Sequence, residues 1–183
     1  MKEPQIVITS PGPQAERLAH NVRARTTLGA LVTLIAQSQK HLIIASPFVQ
    51  ADEALGKEPL DGALRETLRR GVGVEIASTK EGLDNLNRTE LFKIAKNYVR
   101  FFRVADDYPN VSTIGFHAKF CVADGQSAYV GSANLTRPGI EQHFEMGVLV
   151  FDQPAAQVVN IWRYLVQYLR QNAGWKKRAI SVE

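Results

Sequence analysis

Between positions 117 and 134 the chain reads HAKFCVADGQSAYVGSAN. In this run the side chains able to move a proton or hold an anion fall at regular spacing. His117 and Lys119 are two apart, and on a β-strand both would leave from one face. Phe120 and Val122 take the opposite parity and suit a core. Asp124 stands beside Gly125, where a strand would turn. Ser132 and Asn134 follow Gly131, again two apart, with small Ala133 between them. If two strands pair through the Asp124–Gly125 turn, His117, Lys119, Ser132 and Asn134 gather at one rim.

Such a rim suits a phosphodiester. The non-bridging oxygens are negative, and their charge shifts as phosphorus becomes five-coordinate. Lys119 offers a point charge, and Ser132 and Asn134 offer neutral donors, so the three can cradle those oxygens. A neutral imidazole can attack phosphorus through Nε2 near neutral pH without a metal. Its other nitrogen must then be held as N–H by an acceptor, for which Glu145, at the start of the next strand, is the acidic candidate. A lone histidine beside a lysine is ordinarily surface decoration; the complete spacing sets this one apart. His20 and His41 have no such company and read as surface or strand-edge residues. Cys121 reads as a small packing residue.

The elements that must position this rim alternate in βαβα order. Gln5–Ile8 is a short edge strand. Thr26–Gln37 is a helix, with Leu28, Leu31, Val32, Ile35 and Ala36 at helical spacing. His41–Ser46 is a buried strand ended by Pro47, and 51–59 is a loop. Leu60–Arg70 is a helix stopped by Gly71, and Val72–Ser78 is a strand. Thr89–Asn97 is a short helix, followed by a strand at Val99–Val104. Thr113–Val122 and Ala128–Gly131 form the strand pair that carries the polar rim. Glu145–Phe151 is a strand, and Pro154–Asn172 a long helix with Pro in its first turn. Its stripe of Val158, Ile161, Trp162, Leu165, Tyr168 and Leu169 is expected to be mostly core. The whole reads as one domain over residues 1–183.

Composition agrees. The chain has 183 residues, 45% hydrophobic and 22% charged, the balance of a globular domain that can bury a core without disulfides or metal. No apolar run approaches the roughly 20 residues needed to span a bilayer. The first residues lack the apolar core of a signal peptide. The single cysteine and the histidine spacings do not resemble a zinc site. A cytoplasmic protein without a metal or other cofactor is expected. The net charge of +4 tilts the chain mildly towards anionic partners.

The pattern His117-x-Lys119-x4-Asp124-x6-Gly131-Ser132-x-Asn134 resembles the HKD motif of the phospholipase D superfamily at every defining position. Leu42–Pro47 is similar to the family's strand leading into Ser-Pro, and Glu145 matches the acidic residue on the strand after the motif. Motif evidence covers about Gly115 to Val150; upstream, only the element order agrees. One departure is His143, where many members carry Asn, and it puts a local side-chain contact in doubt.

The resemblance implies an α/β fold, a mixed β-sheet flanked by helices on both faces, with one motif per chain. It implies that His117 becomes a covalent phosphohistidine, that Lys119 and Asn134 bind phosphate, that Gly131 and Ser132 shape the phosphate loop, and that Glu145 orients His117. Asp124 looks similar to the family's more structural carboxylate. The mechanism uses two histidines, one attacking and one serving as acid and then base, whereas this chain holds one motif and 43–78 contains no second His-x-Lys. A homodimer sharing one site across a two-fold axis is therefore expected.

Short single-motif members look like nucleases. The run from the motif through Asn134-Leu135-Thr136 is similar to phospholipase D-like proteins of phage-defence systems, whose other subunits would be further partners. A metal-independent phosphodiesterase cleaving DNA or RNA is expected. Arg137 is a candidate contact to the nucleic-acid backbone, with Arg103, Lys80 and Lys176–Arg178 behind it. Two alternatives stay open: a hydrolase of phospholipids or small phosphodiesters, and a non-catalytic nucleic-acid-binding subunit of a defence complex.

Overall fold

The structure is a computed structural model that describes residues 2–12, 15–87, 91, 95, 97–103 and 116–172. Its elements are β1 (Gln5–Thr9), α1 (Ala15–Asn21), β2 (Arg25–Thr26), α2 (Thr27–Gln37), β3 (His41–Ala45), α3 (Leu60–Arg69), β4 (Gly73–Ser78), α4 (Lys80–Asn87), β5 (Val99–Arg103), β6 (Phe120–Ala123), β7 (Ser127–Gly131), β8 (Glu145–Phe151) and α5 (Gln153–Asn172). All eight strands join one sheet in the order β2-β1-β8-β7-β6-β3-β4-β5. β3, β4 and β5 run parallel, and β3-β6, β6-β7, β7-β8 and β8-β1 pair antiparallel.

The apolar sequence of β3 is explained by its central position. A strand covered on both faces loses the usual alternation and becomes a continuous apolar run. Leu42 and Ile44 join Cys121, Ala123 and Tyr129 under α2 and α3, which supply Leu31, Leu34, Ile35, Leu60 and Leu64. Ile43 and Ala45 join Val122 and Ala128 under α5, which supplies Ala155, Val159, Trp162, Val166 and Leu169. The expected mixed sheet with helices on both faces is what the chain forms. α2 starts where Thr26 accepts the Gly29 N–H at 3.2 Å through its side chain, an N-cap. It ends at Ser38, whose hydroxyl donates to Leu34 O at 2.8 Å.

Several expectations shift. The strand expected over Thr113–Val122 is confined to Phe120–Ala123, with 116–119 outside any strand and 113–115 outside the described residues. Within the expected loop 51–59, Ala51–Leu55 forms a wide helical turn that buries Ala54 and Leu55. A helix occupies Lys80–Asn87, ahead of the expected Thr89–Asn97, most of which lies outside the described residues. α1 carries too little apolar periodicity to announce itself: Ala19 is its one buried hydrophobic residue among those described. On α5 the buried arc is centred on Ala155, Val159, Trp162 and Val166, one step around from the expected stripe. Ile161 is consequently 70% exposed and Tyr168 40%.

Trp162 pins α5 to the sheet. Its indole N–H donates to Glu75 Oε2 on β4 at 3.1 Å, and its ring meets Phe102 edge-on at 5.5 Å. Burial works to raise the Glu75 carboxyl, but hydrogen bonds from His41 and Trp162, with the charges of His41 and Arg100, overcome it and hold the group below the ordinary range. A carboxyl depressed in this way stabilises the fold above its unfolded pKa of about 4.3 and loses that contribution as pH falls through the lower folded value. Glu75→Gln should therefore lower stability near neutral pH by about 1 kcal/mol. Its unfolding free energy should also fall less steeply than the wild type's below about pH 4.3, as measured by urea titration across pH.

Candidate active site

The functional side chains gather at one edge of the sheet. The C-terminal ends of parallel β3, β4 and β5 lie there, with the end of β7 and the starts of antiparallel β6 and β8. Such an edge is where open α/β sheets bind ligands. The motif residues other than Asp124 fall on this edge because each lies at or just beyond a strand end there.

Lys119, immediately before β6, is only 6% exposed. Its Nζ donates to the His117 carbonyl at 2.8 Å and lies 3.1 Å from His117 Nδ1. Burial pulls the ammonium below the usual lysine range, and the nearby Glu145 carboxylate works against that pull. His117 itself is exposed. An ammonium has hydrogens to give and no lone pair to accept with, so the Nδ1 facing it is the bare nitrogen. The neutral ring then carries its proton on Nε2.

Glu145 opens β8. It accepts a short hydrogen bond from the Ser132 hydroxyl, and its other oxygen is 3.8 Å from His143 Nδ1. Among the described residues no hydrogen bond joins Glu145 to His117, the contact expected of it. The carboxylate is instead engaged by the serine that follows β7, and Nδ1 is engaged by Lys119. His143, the position where the sequence departs from the family, fills the space next to this carboxylate. Ser132 is tied further to β8: its N–H donates to Met146 O at 3.0 Å, and its hydroxyl oxygen accepts the Met146 N–H at 3.1 Å.

Gly131 is required by close approach. It pairs with Gly147 on β8, and its N–H donates to Lys119 O at 3.2 Å. Buried Tyr129 folds across both glycines. A Cβ on Gly131 would stand 2.6 Å from Tyr129 Cζ and 2.9 Å from Gly147 Cα. Asn134 lies where the chain crosses towards β3. Its Oδ1 is 3.5 Å from the hydroxyl of buried Ser46, and that hydroxyl also accepts the Leu135 N–H at 3.1 Å. The helical turn Pro138–Gln142 packs against Asn134 through Gly139, where a Cβ would meet Asn134 N at 2.9 Å.

Asp124 sits away from this cluster, at the opposite end of β6. With φ of 55° at the turn, its carboxylate accepts the N–H groups of Gln39, Lys40 and His41, each at 2.8 Å. Burial raises that carboxyl, and the three backbone bonds more than reverse the effect, holding it low. Arg137 is half-exposed, its N–H bonded to Gln50 Oε1 at 2.9 Å and its Nε 3.3 Å from Glu141. Lys80 opens α4 and Arg103 ends β5, both at the site edge; their side chains, and all of Lys176–Arg178, lie outside the described residues. Cys121 is buried, its thiol pushed up to about 12 by burial.

The structure therefore brings together His117, Lys119, Gly131, Ser132, Asn134 and Glu145, and stations Asp124 as a staple between β6 and the start of β3. Sequence reasoning missed Ser46, Tyr129 and Gly147. Gly147, a glycine inside an otherwise apolar strand, was the available signal, because such a glycine marks close backbone approach. A buried lysine, neutral donors and an exposed imidazole can together receive a tetrahedral anion.

Comparison with known proteins gives this arrangement a family. Residues 31–163 match the family described as cardiolipin synthase, PLD-like domain, so the chain belongs to the phospholipase D superfamily. It is 26% identical over 184 residues to cardiolipin synthase A of Proteus mirabilis, covering 95% of this chain and 33% of that protein. It is 24% identical over 150 residues to the virion nicking-joining enzyme of Monkeypox virus, covering 76% of this chain and 34% of the other. The chain thus spans about a third of the length of these curated relatives. Among solved structures it resembles Nuc, a phospholipase D family member from Salmonella typhimurium. The TM-score is 0.54 at 18% identity, covering 88% of this chain and 93% of that one, which shows a shared fold.

The packing of Tyr129 over paired glycines is testable. Gly131→Ala should lower stability by about 1–3 kcal/mol, read by chemical denaturation. In a Tyr129→Leu background the same change should cost less, because the two sites share one contact.

Proposed function

We propose that the chain is a metal-independent phosphodiesterase that hydrolyses nucleic acid through a covalent phosphohistidine, with one active site shared by two copies. The observation that carries this reading is the nearly buried Lys119 ammonium held against the His117 imidazole at the open edge of the sheet. A scissile phosphate reaching this edge competes for Nζ. Once Lys119 turns to a non-bridging oxygen, the ring can take its other tautomer, with Nδ1 protonated and Nε2 bare. Nε2 then forms a bond to phosphorus as the bond to the leaving oxygen breaks. The leaving oxygen takes a proton from a second imidazole that enters the reaction protonated, as imidazolium; left neutral, that ring next takes a proton from the water that attacks phosphorus and breaks the P–N bond.

Lys119 and the Asn134 amide stabilise the charge on the equatorial oxygens. Ser132 and Gly131 shape the loop, Asp124 braces it from a distance, and Glu145 with Ser132 sets the field around Lys119 and the ring. Since one chain offers one motif histidine, the second imidazole is His117 of another copy, and the dimer is isologous. Arg137, Lys80 and Arg103 lie on the same edge and suit sequence-independent contacts to backbone phosphates. Support for nucleic acid comes from the net charge and from the similarity to the nicking-joining enzyme. A cytoplasmic setting goes with that substrate, and no described helix is long and apolar enough to cross a membrane. A place among the subunits of a defence complex rests on sequence resemblance alone.

The similarity to cardiolipin synthase A favours one second reading, in which the same phosphohistidine forms on a phospholipid. Labelled single- and double-stranded DNA and RNA, incubated in EDTA and quenched with SDS at mildly alkaline pH, which preserves a P–N bond, separate the two. The nuclease reading expects cleavage and a trapped phospho-enzyme. Both should be lost in His117→Ala, with turnover down at least about 10³-fold. Headgroup release from phosphatidylcholine vesicles with no nucleic-acid cleavage would overturn it. In sedimentation the active species should be a dimer; a fully active monomer would defeat the shared site.

A further inference from the structure

Between Leu42 and Val49 a single residue is exposed. Leu42, Ile43, Ile44, Ala45 and Ser46 are 0–1% exposed and Val49 is 4%, whereas Phe48 is 53% exposed. The ring is not the end of a floppy loop. Ser46 Oγ donates to the Phe48 carbonyl at 2.7 Å, and the Pro47 carbonyl accepts from Ser78 Oγ at 3.1 Å and Thr79 Oγ1 at 2.7 Å. Val49 bridges to Leu135, and Gln50 N–H donates to Leu135 O at 2.9 Å. Phe48 thus stands on a firmly bonded segment between two residues, Ser46 and Val49, that touch Asn134 and Leu135. A flat apolar face is held in water next to the phosphate cradle.

The surroundings say what such a face would meet. Gln50, Asn134, Thr136 and Arg137 are all polar and at least partly exposed. A lipid surface or a protein partner would call for a contiguous apolar patch. The larger apolar strip, Ile6, Val130 and Met146, belongs to the other face of the sheet, the face that carries α5. An exposed aromatic ring whose neighbours on this segment are polar, beside the proposed phosphate site, fits a nucleotide base, which offers a π-face on one side and polar edges around it.

We infer that Phe48 is a stacking platform for the base adjoining the scissile phosphate, so that the substrate is single-stranded nucleic acid or an unpaired end. In a duplex both faces of each base are already stacked, and the ring could engage only after the base is extruded. Stacking does not depend on base identity, so the preference is for strandedness and not for sequence. This inference rests on the nucleic-acid reading of the site and adds the form of the substrate.

The test is binding in a His117→Ala background, where no cleavage complicates the titration. Fluorescence anisotropy compares a short labelled single strand with a duplex of equal length. Phe48→Ala and Phe48→Leu should each weaken single-strand binding by about ten- to a hundredfold, Phe48→Trp should retain it, and duplex binding should be the same for all. Leucine binding as tightly as phenylalanine would overturn stacking. So would equal losses on single strand and duplex, or Phe48-dependent binding to anionic vesicles in place of the oligonucleotide. Circular dichroism melting of each variant checks that the fold is intact. If the wild type cleaves no diester, the proposed reaction fails while the binding comparison still decides the role of Phe48.

Discussion

A lysine that is 94% withdrawn from water must give its hydrogens to something, and at this sheet edge it gives them to its own neighbour two residues back. The bond from Lys119 Nζ to the His117 carbonyl, and its approach to Nδ1, join the two chemically active side chains into one unit. Desolvating a charge is costly unless it is paired and hydrogen-bonded, so the ammonium needs both the backbone carbonyl and the negative field of Glu145. In the proposed reaction an arriving phosphate gives the same ammonium an anionic acceptor.

The rest of the fold serves that placement. The antiparallel register of β6, β7 and β8 sets Gly131 against Gly147 and under Lys119. Without two glycines the Tyr129 ring could not lie flat beneath the loop, and Ser132 would not reach both Glu145 and the backbone of Met146. At the far end of β6, Asp124 ties the turn to the start of β3 with three backbone hydrogen bonds. The two ends of one short strand are thus fixed by different means, close packing at the site end and a carboxylate staple at the other.

The motif was legible because its chemistry demands residue types at set spacing, and the structure gathers His117, Lys119, Ser132 and Asn134 near Glu145 at one rim. The sheet was legible because β3 and β8 carry strong apolar patterns. Less legible was the choice of partner for Glu145, since a carboxylate near a serine, a lysine and a histidine is assigned by three-dimensional distance. The exposed face of α5 was misjudged for a similar reason. Ile161 and Trp162 are adjacent in sequence and equally apolar, and only the positions of Phe102 and Glu75 decide which of them turns inward. Phe48 was hidden as well, because an apolar residue after an apolar strand reads as more core.

The pairing of Lys119 with His117 makes the ring nitrogens the most direct reporters of this account. Nitrogen-15 correlation spectra of His117 in the free protein should place a ring proton on Nε2 and leave Nδ1, which faces the ammonium, bare. On adding vanadate, a phosphate mimic, the pattern should change as Lys119 moves to the anion. A free-state ring protonated at Nδ1, or a His117 spectrum indifferent to vanadate, would contradict it.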